Sequence, residues 1–193
     1  TAGSQGARTV NEAMIELAQR TEPRKLLTDW QLLHLCGPGG ELSAADIQKV
    51  YDEAGLTARV LPFCDTMGKA WAAATIAISR AGAGSVAEVW VNAVPTIFLP
   101  YPYHKDEHQK HNCAPLVDAG AALLLKDQID PMQNAPQLHG PLRSLMNNDA
   151  HRQAMRDKMR QTQPMDGALV LADWLRRKIG IDTEAFARNL NET

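Results

Sequence analysis

The stretch Thr75-Ile76-Ala77-Ile78-Ser79-Arg80-Ala81-Gly82-Ala83-Gly84-Ser85-Val86-Ala87-Glu88 runs from an apolar strand through a small-residue turn straight into a helix. The backbone N–H groups that open a helix have no partner within it, and with the helix dipole behind them they attract an anion. Small residues at the turn let a ligand approach the main chain closely. Glu88 follows one turn later, placed to accept from a hydroxyl. A rival reading needs no ligand: Ser85-Val86-Ala87-Glu88 also spells a capping box, in which Ser85 and Glu88 satisfy each other's backbone amides.

Outward from this stretch, strand-like and helix-like segments alternate, which predicts an α/β domain with a largely parallel sheet. Helices are expected over residues 9–19, 43–54, 67–74, 85–91 and 107–119, and strands over 31–36, 59–63, 75–79, 96–99 and 121–125. Ser43 caps the second helix and Gly55 stops it. The strand over 31–36 reads as buried, and residues 21–29, with Pro23 and several charges, read as a surface excursion. Beyond Asp130 only helices are expected, over 136–147, 149–161 and 167–178. Residues 1–130 thus form the core, and 131–193 supply C-terminal helices of the same domain.

The opening turn Gly3-Ser4-Gln5-Gly6-Ala7 leads into the first helix as a phosphate-facing turn would. Only Thr1 and Ala2 stand where the strand before it belongs, and in a doubly wound sheet that strand is central. The expectation is therefore a piece of a larger protein, lacking most of its first strand. Two small-residue turns at the carboxyl edge of a parallel sheet mark the edge at which ligands bind. They tip the reading of Ser85 and Glu88 towards a nucleotide sugar.

Composition limits the alternatives. The 193 residues are 45% hydrophobic and 22% charged, with a net charge of −2, so the core is ample and nothing in the charge balance favours nucleic acid. No apolar run reaches the roughly 18–20 residues that span a bilayer. Three widely spaced cysteines, Cys36, Cys64 and Cys113, predict reduced thiols in a cytoplasmic setting. His104, His108 and His111 invite a metal reading. A helix starting near Asp106 leaves His104 outside, and His108 with Gln109 facing the cleft is favoured instead. There is no nucleophile elbow and no Walker loop. No Asp-x-Asp is present to hold a metal-bound diphosphate, so helix ends and neutral donors would bind it, with Arg80 as the single nearby cation.

Four blocks in register, Gly3–Ala7, Arg80–Glu88, Val94–Pro100 and His108-Gln109 followed by Asn112 and Ala119-Gly120-Ala121, resemble the C-terminal domain of glycosyltransferase family 28. The resemblance covers nearly the whole chain. Ala2, Gly84, Ser85 and the Tyr101-Pro102-Tyr103 stretch depart from its usual pattern.

It implies the Rossmann-like C-terminal domain of a two-domain GT-B enzyme, the donor-binding half of an inverting transferase that uses neither metal nor cofactor. That enzyme would move N-acetylglucosamine from UDP-N-acetylglucosamine to lipid I in peptidoglycan synthesis. Carried over, Ser4, Gln5 and Gly6 meet the diphosphate, the backbone at Phe63 and Cys64 reads the uracil, and Ala83, Gly84 and Ser85 line diphosphate and ribose. Glu88 accepts from the ribose, while Gln109 and His108 meet the donor sugar. The lipid-linked acceptor, the general base and the membrane-facing surface would belong to an N-terminal domain. The resemblance thus implies a peripheral enzyme on the cytoplasmic face of the inner membrane and an isolated chain that is inactive. Alternatives are part of a related glycolipid transferase or half-enzyme, or a nucleotide-sugar-binding module without chemistry.

Overall fold

A computed structural model describes residues 7–38, 41–103, 106–162 and 167–179. The chain divides into two compact units, residues 1–162 and 163–193. In the first, the order is α1 (Arg8–Gln19), α2 (Thr21–Leu27), β1 (Gln31–Leu35), α3 (Ala44–Glu53), β2 (Thr57–Leu61), α4 (Met67–Ala73), β3 (Ala77–Ser79), α5 (Ala83–Asn92), β4 (Thr96–Phe98), α6 (His108–Asp118), β5 (Ala122–Leu124), α7 (Pro131–Asn147) and α8 (Asp149–Gln161). The second unit carries α9 (Gly167–Ile179), where Asp173 pairs with Arg177 at 2.7 Å.

All described strand pairs are parallel, β1 with β2 and, separately, β3 with β4 with β5. Successive residues of β4 show why helices lie on both faces. Ile97 is fully buried in one core with Val10, Ala13 and Leu17 of α1 and Leu138, Leu142 and Leu145 of α7. Phe98 points the other way, into a second core with Val86 and Val89 of α5, Leu116 of α6 and Met159 of α8. A strand buried on both faces is what a doubly covered parallel sheet requires. The Rossmann-like α/β architecture read from the sequence is the one present.

Local chemistry explains most boundaries. Ser43 Oγ accepts from the Asp46 amide while the Asp46 carboxylate accepts from the Ser43 amide at 2.9 Å, a complete capping box at the start of α3. Gly55 just past its end takes φ +69, a conformation that a side chain would strain. Replacing Ser43 by alanine should therefore lower stability by about 1 kcal/mol, measured as a fall in urea midpoint at constant slope.

Several expectations are corrected. Residues 21–27 form a helix, not a surface excursion: Pro23 sits in its first turn, where no intrahelical N–H is needed, and Leu27 is buried in the first core. Helix α7 begins at Pro131 rather than near Pro136, because the Asp130 side chain accepts from the Met132 amide and Pro131 occupies the first turn. Strand β1 is not fully buried, with Leu33 48% exposed. A cavity of about 630 Å³, lined by Leu32 and His34 of β1, Tyr51, Trp71, and Ile76 and Ile78 around β3, opens beside it.

Two thiols are inert by environment. Burial pushes Cys113 up to about 11 and Cys36 above its ordinary value, so neither supplies a thiolate nucleophile near neutral pH. Among the described residues, no helix is long and apolar enough to cross a membrane.

Candidate functional site

Parallel strands bring their carboxyl ends to one edge, and the helices that follow them start there. Helix α1 marks the edge for both sheets. Asn11 Nδ2 donates to the Cys36 carbonyl just past β1 at 2.8 Å, and Thr9 Oγ1 donates to Asp127 beyond β5 at 2.5 Å. The two sheets therefore point the same way. The turn after β3 opens α5, and the loop after β4 opens α6, with Asn112 Nδ2 donating to the Ala81 carbonyl at 3.0 Å to tie those two connections together.

Helix α5 begins at Ala83, two residues before the expected start, and Gly82 is its N-cap with no side-chain cap. Ser85 is thus the third helical residue, not the cap, and the capping box does not form. Among the described residues, no side chain covers the amides of Ala83, Gly84 and Ser85, and Ala83 and Gly84 are exposed. A Cβ placed on Gly82 or Gly84 would meet nothing within 4 Å, so the chain's own packing does not fill this turn.

Glu88, released from capping, is exposed and does something else. The buried indole of Trp71 on α4 donates to Glu88 Oε2 at 2.8 Å, steering the carboxylate as an acceptor without covering it. Sequence reading missed Trp71, and no spacing rule links residues 71 and 88.

Arg80 is not where the sequence reading put it. Expected as a cation facing the diphosphate, it is 5% exposed and turned inward. Its Nη1 donates to Asp127 Oδ2 at 2.6 Å, to the Leu99 carbonyl at 2.8 Å and to the Pro100 carbonyl at 3.2 Å, while Nη2 donates to Thr9 Oγ1 at 2.7 Å. The physical reason is Asp127, a fully buried carboxylate that needs a counter-charge. Burial alone would raise the Asp127 carboxyl, but donors from Thr9, Asn134, the Ile129 amide and Arg80 hold it below its ordinary value.

The sugar-side residues lie at the start of α6. Gln109 Oε1 accepts from the Tyr101 amide at 2.9 Å, leaving its amide nitrogen as donor. His108 is exposed and its Nδ1 lies 3.0 Å from Asp106 Oδ1, an interaction that holds the Asp106 carboxyl below its usual value. Phe63 and Cys64 follow β2 on the same edge: the Phe63 side chain is 72% exposed, and Cys64 Sγ lies 3.8 Å from Thr66 Oγ1. Ser4, Gln5, Gly6 and His104 lie outside the described residues. The structure thus groups Ala83, Gly84, Ser85, Glu88, His108 and Gln109 around two adjoining helix starts, with Phe63 and Cys64 at the end of the neighbouring sheet.

Comparison with known proteins follows the same outline. Residues 1–169 match the glycosyltransferase family 28 C-terminal domain. A UDP-N-acetylglucosamine--N-acetylmuramyl-(pentapeptide) pyrophosphoryl-undecaprenol N-acetylglucosamine transferase of Xylella fastidiosa is 34% identical over 171 residues, covering 89% of this chain and 45% of the relative. The transferase of the same description in Geotalea daltonii is 34% identical over 173 residues, covering 89% and 44%. The chain thus spans a little under half the length of these curated relatives. The crystal structure of Acinetobacter baumannii MurG superposes with a TM-score of 0.71 at 31% identity, over 92% of this chain and 48% of that one. A glycotransferase of kitacinnamycin shares the fold at 16% identity and a TM-score of 0.59, over 92% of this chain and 40% of that one. On the match over residues 1–169, this chain belongs to glycosyltransferase family 28.

Proposed function

We propose that this chain is the donor-binding half of an inverting, metal-independent glycosyltransferase that moves N-acetylglucosamine from UDP-N-acetylglucosamine to lipid I in peptidoglycan synthesis. The observation that carries the reading is the pairing of an uncovered α5 N-terminus with an exposed, Trp71-steered Glu88. The open amides suit a diphosphate and the carboxylate suits a pair of ribose hydroxyls. Gln109, with its carbonyl oxygen fixed by Tyr101, presents N–H groups to the sugar. Fixed donors of this kind stabilise the charge that develops on a departing nucleotide without reorganising. Phe63 and Cys64 read the uracil through the backbone, and Ser4, Gln5 and Gly6 bind the diphosphate. The lipid-linked acceptor and the general base come from a preceding domain at the cytoplasmic face of the membrane, so this chain binds donor without transferring it.

The test is a titration of the chain with UDP, UDP-N-acetylglucosamine, ATP and GTP, following the amide signals of Ala83, Gly84 and Ser85. The two uridine compounds should bind comparably and the purine nucleotides far more weakly. Glu88→Ala should weaken UDP binding by about 1–3 kcal/mol, roughly 5- to 150-fold, and lower the melting temperature as well, because the buried Trp71 indole loses its acceptor; Glu88→Gln keeps that acceptor and should weaken binding with the melting temperature held. Spectra unmoved by saturating UDP would sink the reading, as would an early-melting Glu88→Ala chain with undiminished affinity. Transfer to lipid I by the isolated chain would overturn the division of labour between the halves.

A further inference from the structure

The buried Arg80–Asp127 pair lies outside the exposed surface that would touch a nucleotide, yet it reaches the start of α1 and the connections after β3, β4 and β5. Thr9 belongs to the first turn of α1, and its hydroxyl accepts from Arg80 while donating to Asp127. The Leu99 and Pro100 carbonyls end β4, and Asp127 follows β5. Asp127 Oδ1 accepts from Asn134 Nδ2 of α7 at 2.8 Å and from the Ile129 amide at 2.7 Å, so both carboxylate oxygens carry two donors each. On its other side, the Arg80 guanidinium lies 5.7 Å from the Tyr101 ring centroid, and the Tyr101 amide in turn fixes Gln109. Three residues after Arg80, α5 begins. A planar, forked donor can hold two carbonyls, a hydroxyl and a carboxylate in fixed relation, which a single ammonium cannot.

We propose that Arg80 and Asp127 act as a positioning pair for the donor site: the buried fork sets the α5 start and the Tyr101–Gln109 connection in register, and so couples the diphosphate end of the site to its sugar end. The idea rests on the donor-binding reading for its ligand, but its first consequence is visible without one. Replacing a buried ion pair by apolar residues of similar volume leaves many folds as stable as before. A pair that merely stabilises would therefore be dispensable, and a pair that positions would not.

Two variants decide it. Arg80→Lys keeps the charge opposite Asp127 and loses the fork; the triple variant Thr9→Val, Arg80→Met, Asp127→Leu replaces the polar cluster with apolar bulk. In the nucleotide-free chain, hydrogen exchange of the Val86 amide, bonded to the Gly82 carbonyl in the first turn of α5, and of the Tyr101 amide, bonded to Gln109 Oε1, should quicken at least tenfold. The amides of α3, which shares no hydrogen bond with the pair, should be unchanged. In Arg80→Lys, UDP affinity should fall at least tenfold with the melting temperature within a few degrees of the parent; the triple variant also leaves the Asn134 side chain and the Ile129 amide without their acceptor, so it melts earlier and is judged on exchange and affinity. Arg80→Lys is read first, and the triple variant is read instead if the lysine chain fails to fold. Unchanged exchange at those amides, or unchanged UDP affinity, overturns the proposal; both variants failing to fold overturns it in favour of a purely architectural role. If the parent chain itself ignores UDP, the donor reading fails, and the pair is judged on the nucleotide-free exchange alone.

Discussion

Replacing Asp127 by alanine is expected to destabilise the fold by about 3–5 kcal/mol, the cost of leaving a buried charge without its partner. The Arg80 guanidinium stays buried in that variant and keeps the Leu99 and Pro100 carbonyls and the Thr9 hydroxyl, but it loses its counter-charge, and among the described residues its Nε already has no hydrogen-bond partner. Thr9, Asn134 and the Ile129 amide lose an acceptor at the same time. The turn itself is held against its preference: Ile129 is a β-branched residue at φ 67, and its amide is fixed by Asp127. Against a typical domain stability of about 5–15 kcal/mol, a loss of this size removes a large share of the total. Urea unfolding should show a midpoint lowered far beyond that of Ser43→Ala. A midpoint within experimental scatter of the parent would mean the buried pair contributes nothing the fold needs.

The contrast between Ser43 and Arg80 shows what was legible in the chain and what was not. Ser43 and Asp46 lie one helical turn apart, so their reciprocal bonds can be read from spacing, as can the stop at Gly55. The alternation of apolar strands with amphipathic helices likewise gives the α/β layers, since each element's buried face is a local pattern. Arg80 next to a small-residue turn looks like an anion-binding cation until the acid that claims it is known, and that acid is 47 residues away. Glu88 posed the same difficulty in reverse: Ser85 and Glu88 are spaced for a capping box, but α5 starts two residues early and Trp71 takes the carboxylate. Pro23 and Pro136 misled for a different reason. Proline signals a break only in relation to where a helix begins, and the starts at Thr21 and Pro131 are set by flanking residues.

The geometry also divides labour within the candidate site. Groups that would touch a ligand, the α5 amides, Glu88 and Gln109, are exposed or partly so. Each is steered by a second group: Glu88 by the buried Trp71, Gln109 by the Tyr101 amide, and the turn before α5 by the buried Arg80. Pre-set groups of this kind bind with less ordering cost than flexible ones, which is why the inner shell is as informative as the outer.

Acid should weaken this fold well before its carboxylates titrate, and His34 is the reason. On β1, its Nδ1 lies 2.7 Å from the Tyr51 hydroxyl and its Nε2 3.0 Å from Asn11 Oδ1. Asn11 donates through its amide nitrogen to Cys36, so its oxygen can only accept; Nε2 therefore carries the hydrogen and Nδ1 accepts from Tyr51. Burial pushes the Tyr51 phenol upward, keeping it a donor, and burial drives His34 from 6.5 down to about 4. A folded-state value below the unfolded one means the unfolded chain binds more protons between them. The contribution is therefore intact above pH 6.5, shrinks as pH falls towards 4, and is gone below it. At about 1.4 kcal/mol per pH unit, the full loss is about 3 kcal/mol. Asp127 adds a later loss of the same sign: its depressed carboxyl keeps its contribution until the pH falls below the ordinary carboxylate value. Unfolding free energy in the parent should thus hold from pH 7.5 to about 6.5 and then fall steadily to 4.5, and it should stay nearly flat over 6.5–4.5 in His34→Gln. A parent and variant with parallel pH profiles would show that His34 titrates alike in both states, and that the Asn11–His34–Tyr51 chain does not hold the imidazole neutral.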